Sequence, residues 1–287
     1  YYIYGKEKRK MNCHCGGGYR NIYNAISLSC NSYFADVYRK TIDSQYNTKD
    51  RFDNWSNHIK SFGLGNYLNN DLPVGKKGVI PNSEYYDRWY SDFKWGATTT
   101  ISNSIGQGEI LTTPIQLANM TAAVANGGYY FTPHIIKKID GDSIDVRFKT
   151  PIKTSIDSTH FKTMDKALYR VFKSGTGKLL NVPGIEICGK SGTAENFVKI
   201  NGVKTQLSDH SIFIAYAPKE NPTIAVSVLI ENAGYGSLWA GRIASLMIEK
   251  YINREISLKK REKIVLNKNL KEEYLKPYLG KPFNINE

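Results

Sequence analysis

Gly189-Lys190-Ser191-Gly192-Thr193-Ala194 is the stretch of this chain that decides the fold. Two runs rich in β-branched and aromatic residues follow it, at 211–217 and 223–230. Such composition is typical of strands, and the proline-containing segment 217–222 predicts a turn that makes the two runs antiparallel neighbours. We therefore predict a sheet built from residues 185–232, with the polar stretch at its edge.

The polar stretch offers groups that can hold a carboxylate and an amide carbonyl. Lys190 gives a cation, Ser191 and Thr193 give hydroxyls, and an edge strand leaves backbone N–H groups open. Because Gly192 has no Cβ, a ligand can lie against the strand. Taken alone, a surface turn explains these residues equally well, since so short a pattern is frequent by chance.

Other stretches of the chain favour the ligand-binding explanation. Ser29-Cys30-Asn31 fits S-x-N, which with K-[ST]-G gives two elements of the serine penicillin-recognising set S-x-x-K, S-x-N and K-[ST]-G. Three further segments agree: SIGQGEILTTPIQLA at 104–118, ANGG at 125–128 and IENAG at 230–234. On these residues the chain resembles the transpeptidase domain of class B penicillin-binding proteins, most of all the elongation-type penicillin-binding protein 2, from about Tyr19 to Ile252.

The resemblance implies an α/β fold of the penicillin-recognising serine transpeptidase (β-lactamase-like) type, with a central antiparallel sheet flanked by helices. Residues 1–256 would form a partial transpeptidase domain and residues 257–287 a charged C-terminal tail. In this family S-x-x-K precedes S-x-N, whereas the two matches here, at 91–94 and 257–260, follow it and are interpreted as chance. We therefore expect the fold to be incomplete at its N-terminus and the chain alone not to be acylated.

The activity that the resemblance implies is peptidoglycan D,D-transpeptidation through a serine acyl-enzyme, with stem peptides as substrates and β-lactams as their mimics. Ser29 would relay a proton, and Asn31 would form a hydrogen bond to the amide side chain of the substrate. Lys190 would attract the terminal carboxylate and lower the pKa of a neighbouring lysine. The hydroxyls of Ser191 and Thr193, on either side of Gly192, would bind that carboxylate. The Thr193 N–H would donate to the oxyanion.

The resemblance also implies a location and partners. Its members are anchored at the periplasmic face of the bacterial inner membrane, here by a segment outside this chain, and work with a membrane glycosyltransferase of the elongation machinery. No cofactor is implied. The alternative function is a non-catalytic scaffold or β-lactam sensor of the same fold. We predict no nucleic-acid partner, because the lysines and arginines behind the net charge of +13 are scattered and accompany no nucleic-acid motif.

Two patterns leave other site chemistry open. Cys13, His14, Cys15 and Cys30 are ligand types that suit zinc, but C-x-C is tighter than the usual spacing, and a reduced set of partly buried thiols explains them as well. Asp209-His210 beside a strand suggests a Ser-His-Asp hydrolase, although the chain has no G-x-S-x-G turn. We commit to neither a metal nor a hydrolase triad.

Apolar periodicity predicts the helices. A helix covers residues 21–39, and the resemblance implies a break in it near Ser29. Thr113 opens another with a T-x-x-Q capping box, and the closing helix spans 238–252. The predicted inward faces of these two are Leu117, Met120, Thr121 and Val124, and Ala240, Ile243, Ala244, Met247, Ile248 and Tyr251. Residues 1–18 are predicted as loop and 129–155 as strands and turns. The aromatic segment 83–96 is predicted as a loop that packs on its own domain or on a protein partner, with stacking of single-stranded nucleic acid as the alternative.

Overall fold

The computed structural model describes residues 1–91, 94–139 and 143–275. They divide into two compact units, of which the first ends at Ala167 and the second begins at Leu168. Among these residues, no helix has both the length and the apolar character that crossing a membrane requires.

The first unit is mostly helical. Its helices are α1 (Ile22–Ser27), α2 (Asn31–Ile42), α3 (Thr48–Lys60), α4 (Ser83–Trp89) and α5 (Pro114–Ala125). The predicted break near Ser29 is confirmed, because α1 ends and α2 begins around it.

One hairpin in the first unit differs from the sequence prediction. β1 (Tyr2–Tyr4) pairs with β2 (Arg9–Met11) where a loop was expected, because the turn between them lets the chain fold back on itself. β3 (Tyr129–Tyr130) pairs with β4 (Ile152–Lys153), which confirms strands at both ends of the predicted segment 129–155. Val146–Phe148, predicted as extended, forms a short 3-10 helix, because the Asp145 side chain accepts a hydrogen bond from the Arg147 N–H and caps it.

Aromatic side chains form the core of the first unit. The Phe52 ring stacks on Trp55 at 5.4 Å and meets Tyr86 and Trp95 edge-on at 5.5 and 5.3 Å. The segment 83–96 was predicted as a loop, but it begins with helix α4, because the Asn82 side chain accepts the Tyr85 N–H and caps the helix. Its aromatic rings pack onto their own unit, which favours packing over nucleic-acid stacking as their role. Phe93, in the same predicted loop, lies outside the described residues.

The capping box at the start of α5 is confirmed, but the predicted inward face of this helix is partly wrong, since only Thr121 of its four members is buried. Thr113 and Gln116 exchange the two capping hydrogen bonds. Leu117, Met120 and Val124 are only partly buried, whereas the fully buried residues are Gln116, Asn119, Thr121 and Ala123. Gln116 is inside because its amide nitrogen donates to the Gly63, Asn66 and Lys77 carbonyls at 3.3, 2.9 and 2.9 Å.

We expect Gln116→Leu to lower the free energy of unfolding by about 2–3 kcal/mol, because buried carbonyls that lose their donor cannot regain water. Leucine is close to glutamine in size, so the loss would report hydrogen bonding and not a cavity. Urea denaturation measures it, and Ile115→Leu, at a neighbouring position that is 46% exposed, is the matched control. Equal stability of the two variants would contradict the role given to the amide.

The second unit contains the main sheet. β5 (Cys188–Ala194), β8 (His210–Ala217) and β9 (Ile224–Ile230) are antiparallel in that order, so the predicted antiparallel pairing is confirmed and β5 lies next to β8. A hairpin that the sequence did not predict, β6 (Phe197–Ile200) and β7 (Val203–Gln206), is inserted between β5 and β8. Helices α6 (Phe161–Ser174) and α7 (Ala240–Asn253) also contribute to this unit, α6 from the residues after 167.

The core of the second unit lies between the sheet and these helices. Phe213 of β8 is fully buried, and its ring meets Phe172 of α6 edge-on at 5.9 Å. Gly241 of α7 faces the same ring, since a Cβ on it would lie 3.1 Å from the Phe213 ring. Because residue 241 has no side chain, α7 can approach β8 closely at that point.

The predicted inward face of α7 is partly wrong. Met247 and Tyr251 are 47% and 43% exposed, whereas Ser245, Leu246 and Glu249 are buried. The polar members are inside because later residues bond to them: Ser257 donates its N–H and hydroxyl to Glu249 Oε1 at 2.9 and 2.6 Å.

The segment predicted as a charged tail contains two helices, α8 (Lys259–Asn267) and α9 (Lys271–Leu275). Arg261 ties α8 to the unit by donating to the Ser245 hydroxyl at 2.9 Å and to the Leu179, Leu180 and Asn181 carbonyls. Apolar periodicity missed α8 because polar contacts from one arginine hold it in place. Residues 276–287 of the predicted tail lie outside the described residues, and the domain boundary at 256 stays a prediction.

Candidate functional site

The two sequence motifs lie in different units. Ser29 and Asn31 belong to the first unit, at the junction of α1 and α2, whereas Lys190, Ser191, Gly192 and Thr193 form the middle of β5 in the second. All four β5 residues keep some exposed surface, although the amine of Lys190 lies in a largely desolvated environment.

The S-x-N turn holds its serine in an uncommon backbone conformation. Ser29 has φ +54°, in the left-handed region that few non-glycine residues adopt. The Cys30 N–H donates to the Ala25 carbonyl at 2.8 Å and so ends α1. Asn31 is the first residue of α2, and its side-chain amide donates to the Asn12 carbonyl at 2.9 Å. Local strain of this kind is frequent at functional sites, where the surrounding structure maintains it.

Lys190 is the cation of the β5 motif. Its Nζ donates to the Ser191 carbonyl oxygen at 2.7 Å. Burial lowers the pKa of its amine from the ordinary value of 10.5 to about 8, because removing the ammonium from water disfavours the charged form. Lys190 is therefore still mostly charged at neutral pH but titrates within reach of it.

The hydroxyls of Ser191 and Thr193 lie on one side of β5, since residues two apart share a face of a strand. Ser191 Oγ is 3.0 Å from Thr176 Oγ1, in the turn after α6. Thr193 Oγ1 accepts a hydrogen bond from the Gly236 N–H at 3.2 Å. Both hydroxyls therefore have fixed neighbours, and neither Thr176 nor Gly236 was predicted as a site residue.

The loop that follows β9, residues 231–239, is fastened to the sheet beside the motif. Ser211 Oγ donates to the Tyr235 carbonyl at 3.0 Å and accepts from the Ala240 N–H at 3.2 Å. The Asp209 carbonyl accepts the N–H groups of Ala233 and Gly234. The segment 230–234, quoted above for the family resemblance, was the only sequence signal for this loop.

Asp209-His210 has a structural role that accounts for its position. His210 Nδ1 accepts the Asn232 N–H at 3.2 Å, so this ring nitrogen holds the loop after β9. Burial, with a smaller contribution from the negative charge of Glu195, raises the pKa of the Asp209 carboxyl. The pair therefore supports the loop, and this favours the structural explanation over a hydrolase triad.

Three thiols converge in the first unit. The Sγ atoms of Cys13 and Cys15 are 2.8 Å apart, those of Cys15 and Cys30 2.7 Å, and those of Cys13 and Cys30 3.7 Å. Burial opposes ionisation of Cys13, but hydrogen bonds from Cys15 and Ser32 outweigh it and lower the Cys13 pKa to about 6. Burial and hydrogen bonds to the other two thiols raise the Cys15 pKa to about 12.

Residues 2–249 match the family model for the penicillin-binding protein transpeptidase domain. The chain belongs to this family. The resemblance deduced from K-S-G-T, S-x-N and the segment 104–118 is thereby confirmed, and so is the fold class: this chain is α/β, with the antiparallel sheet of the penicillin-binding protein transpeptidases.

Relatives and solved structures agree with the family assignment. The chain is 33% identical over 231 residues to the peptidoglycan D,D-transpeptidase MrdA of Acinetobacter baumannii, an alignment that covers 77% of this chain and 33% of that protein. The chain thus spans about a third of the length of that curated relative.

Two solved structures share its fold. The structure of Pseudomonas aeruginosa PBP2 in complex with WCK 5153 matches at 30% identity and a TM-score of 0.67, over 83% of this chain and 50% of that one. A structure described as a peptidoglycan synthase complex that coordinates polymerization and crosslinking matches at 26% identity and a TM-score of 0.68, over 84% of this chain and 39% of that one.

The three thiols of this penicillin-binding protein domain could hold a metal ion. Zinc prefers thiolate and imidazole ligands in a tetrahedral arrangement, and the three Sγ atoms lie within 4.8 Å of one another. His14 is not part of this group, so the ligand set suggested by the sequence is reduced to Cys13, Cys15 and Cys30.

Adding Zn²⁺ to the reduced protein is expected to release protons and to slow alkylation of these three thiols, because zinc binds thiolates. Iodoacetamide labelling followed by mass spectrometry of the peptides measures it. Cys188 is buried in β5, so its slow labelling should stay the same and serves as an internal control. Unchanged alkylation rates with zinc would mean that the cluster is a set of reduced thiols only.

Proposed function

We propose that this chain is part of a peptidoglycan D,D-transpeptidase that works through a serine acyl-enzyme and is acylated by β-lactams. The observation that carries the proposal is the K-S-G-T strand: in a chain of this family, consecutive residues of β5 carry the Lys190 ammonium and, on one face of the strand, the Ser191 and Thr193 hydroxyls. Because the chain spans about a third of its curated relative, substrate and activity belong to this proposal.

The terminal carboxylate of a stem peptide would be bound on β5. The Lys190 charge attracts it, and the hydroxyls of Ser191 and Thr193 donate hydrogen bonds to it. Gly192 carries no side chain that would cover the strand, and a Cβ built there would lie 3.4 Å from its nearest atom, on Ile212. The Thr193 N–H stabilises the oxyanion that forms when the carbonyl is attacked.

The S-x-N turn would act on the leaving group and on the substrate amide. Ser29 relays a proton, and its left-handed backbone, fixed between two helices, sets the direction of its hydroxyl. Asn31 bonds the amide of the substrate. The hydrogen bond to the Asn12 carbonyl orients the Asn31 amide, because its NH₂ group is held and its oxygen is thereby turned away from that carbonyl.

The nucleophile and its base would be an S-x-x-K serine and lysine in a segment upstream of S-x-N. The match at Ser257 is engaged elsewhere, because its hydroxyl donates to Glu249 Oε1 at 2.6 Å, and α8 after it buries none of its side chains. The match at 91–94 includes residues 92 and 93, which lie outside the described residues.

A place at the periplasmic face of the inner membrane and a membrane glycosyltransferase partner are further parts of the proposal. The support is the family resemblance and the similarity to a chain in a peptidoglycan synthase complex that couples polymerization to crosslinking. Bacterial fractionation and co-purification of the two proteins test them.

Labelling with a fluorescent penicillin tests the function. It is applied to this chain and to a version extended upstream through an S-x-x-K motif to the length of its relatives. Labelling of the extended protein alone supports a transpeptidase whose nucleophile lies upstream. Folded proteins that both stay unlabelled would support the non-catalytic scaffold instead. Labelling of this chain alone would place the nucleophile within it, and Ser91→Ala would then be the first variant to examine.

A further inference from the structure

A threonine outside the sequence motifs contacts the hydroxyl of Ser191. Thr176 lies in the turn after α6, 15 positions before Ser191, and its Oγ1 is 3.0 Å from Ser191 Oγ. Both side chains are accessible at that point. Either hydroxyl could be the donor in a hydrogen bond of this length. If Ser191 donates to Thr176, it has no hydrogen left to donate to a ligand.

The turn that carries Thr176 is held by its own backbone. The N–H groups of Gly175 and Gly177 both donate to the Val171 carbonyl, at 3.1 and 3.0 Å, so the residue between them cannot swing freely. The Asn181 side-chain amide then donates to two carbonyls, that of Phe172 inside α6 and one beyond the turn, at 2.9 and 2.8 Å. Thr176 therefore faces β5 from a turn whose backbone is held by hydrogen bonds.

The direction of the hydrogen bond follows from the charge of the ligand. A carboxylate only accepts hydrogen bonds, so Ser191 must donate its single hydrogen to it. Ser191 Oγ can then bond Thr176 only as an acceptor, and the Thr176 hydroxyl must be the donor. A hydroxyl that accepts a hydrogen bond is also polarised into a better donor, since hydrogen bonds in a chain strengthen one another.

On the basis of the proposed function, we propose that Thr176 is a positioning residue: its hydroxyl donates to Ser191 and turns the Ser191 O–H toward the carboxylate of the substrate or β-lactam. Thr176 itself does not touch the ligand. The pair favours a carboxylate over a neutral group at the same place, because Ser191 can donate to the carboxylate while it accepts a hydrogen bond from Thr176.

The test compares two penicillin probes on the upstream-extended protein, one with its free carboxylate and one esterified there. Thr176→Val, which keeps the shape but removes the hydroxyl, is expected to slow acylation by the free acid about tenfold, the loss of one well-placed hydrogen bond, and to leave the ester unaffected. Thr176→Ser restores the hydroxyl and should restore the rate. In a Ser191→Ala background, Thr176→Val should have no further effect.

Each of the other possible results would contradict a specific part of the proposal. If Thr176→Val slows both probes equally, the residue supports the turn and does not orient Ser191. If it slows neither, the hydrogen bond has no role in binding. If Ser191→Ala does not change the rate of acylation by the free-acid probe, Ser191 does not bind the carboxylate, and Thr176 then has no positioning role. An unlabelled parent protein is the failure of the proposed function itself.

Discussion

Lys190→Met is expected to lower penicillin acylation of the upstream-extended protein by about 100-fold or more, the effect of removing one pre-positioned charge from a site that binds an anion. Lys190 is the cation of the β5 motif, and its Nζ is fixed by a 2.7 Å bond to the Ser191 carbonyl. Methionine keeps the unbranched shape but has no charge. Lys199→Met, at an exposed position of β6, is the matched control and should label normally.

The pH dependence of labelling identifies the role of the charge. Because burial places the Lys190 pKa at about 8, the ammonium is lost as the pH rises through that value, and the acylation rate should fall with it. Lys190→Arg keeps a charge that does not titrate in this range, so its rate, lower at neutral pH because arginine is larger, should show no decline near pH 8. A decline at the same pH in the arginine variant would assign the titration to another group.

The same burial has a consequence for stability. The folded-state pKa of Lys190 is below its ordinary value of 10.5, so the unfolded chain binds more protons between about pH 8 and 10.5, and the contribution of this residue becomes more favourable as the pH rises through that window. Below pH 8 the buried amine is charged in the folded protein, which lowers the free energy of unfolding. Lys190→Met should therefore be more stable than the parent at pH 7 and lose this advantage by pH 10.5, which thermal unfolding at the two pH values can show. Unchanged labelling by this variant would contradict the role of Lys190 altogether.

Much of the fold could be predicted because it depends on local patterns. The β-branched runs and the turn at 217–222 predicted that β8 and β9 are neighbours, and T-x-x-Q predicted the start of α5. The buried polar residues were missed for the opposite reason. Gln116 is inside because it bonds carbonyls that are 39 to 53 positions away, and no periodicity contains such partners.

The same distinction between local sequence patterns and distant contacts applies to the site. The motif residues could be identified because their types and order recur in a family, and the family is confirmed by a match over residues 2–249. Thr176 and Gly236 could not, since neither belongs to a motif and each matters only through the atom that it contacts on β5. Their roles depend on the register between strand and loop, which no local sequence pattern encodes.

Gly236→Ala is expected to abolish labelling and to destabilise the protein by about 3 kcal/mol or more, an overpacking effect at the upper end of its usual range. A Cβ at this position would lie 2.1 Å from the Gly192 carbonyl oxygen and 2.3 Å from that of Ile212. Both atoms belong to the backbone of paired strands, β5 and β8, so neither can move aside without breaking the ladder. The loop must shift instead, and it then loses the 3.2 Å hydrogen bond from the Gly236 N–H to Thr193 Oγ1.

The displacement would reach both the ligand side and the core. The Gly241 N–H donates to the Gly236 carbonyl at 2.9 Å at the start of α7, so a moved Gly236 also disturbs the helix that covers the sheet. Gly234→Ala is the control within the same loop: it has φ +75°, and a Cβ there meets no atom within 4 Å. Its cost is the left-handed backbone alone, about 1 kcal/mol, and its labelling should persist.

Thermal unfolding and penicillin labelling of the two variants separate contact from backbone strain. If Gly236→Ala is as stable and as readily labelled as Gly234→Ala, the loop is not held against Gly192 in the working protein, and the Thr193 hydroxyl is oriented by something else. If Gly236→Ala is unstable but still labelled, the contact serves folding alone. Loss of both, with Gly234→Ala nearly normal, is the expected result, because the same backbone contact supports the sheet and orients the hydroxyl on it.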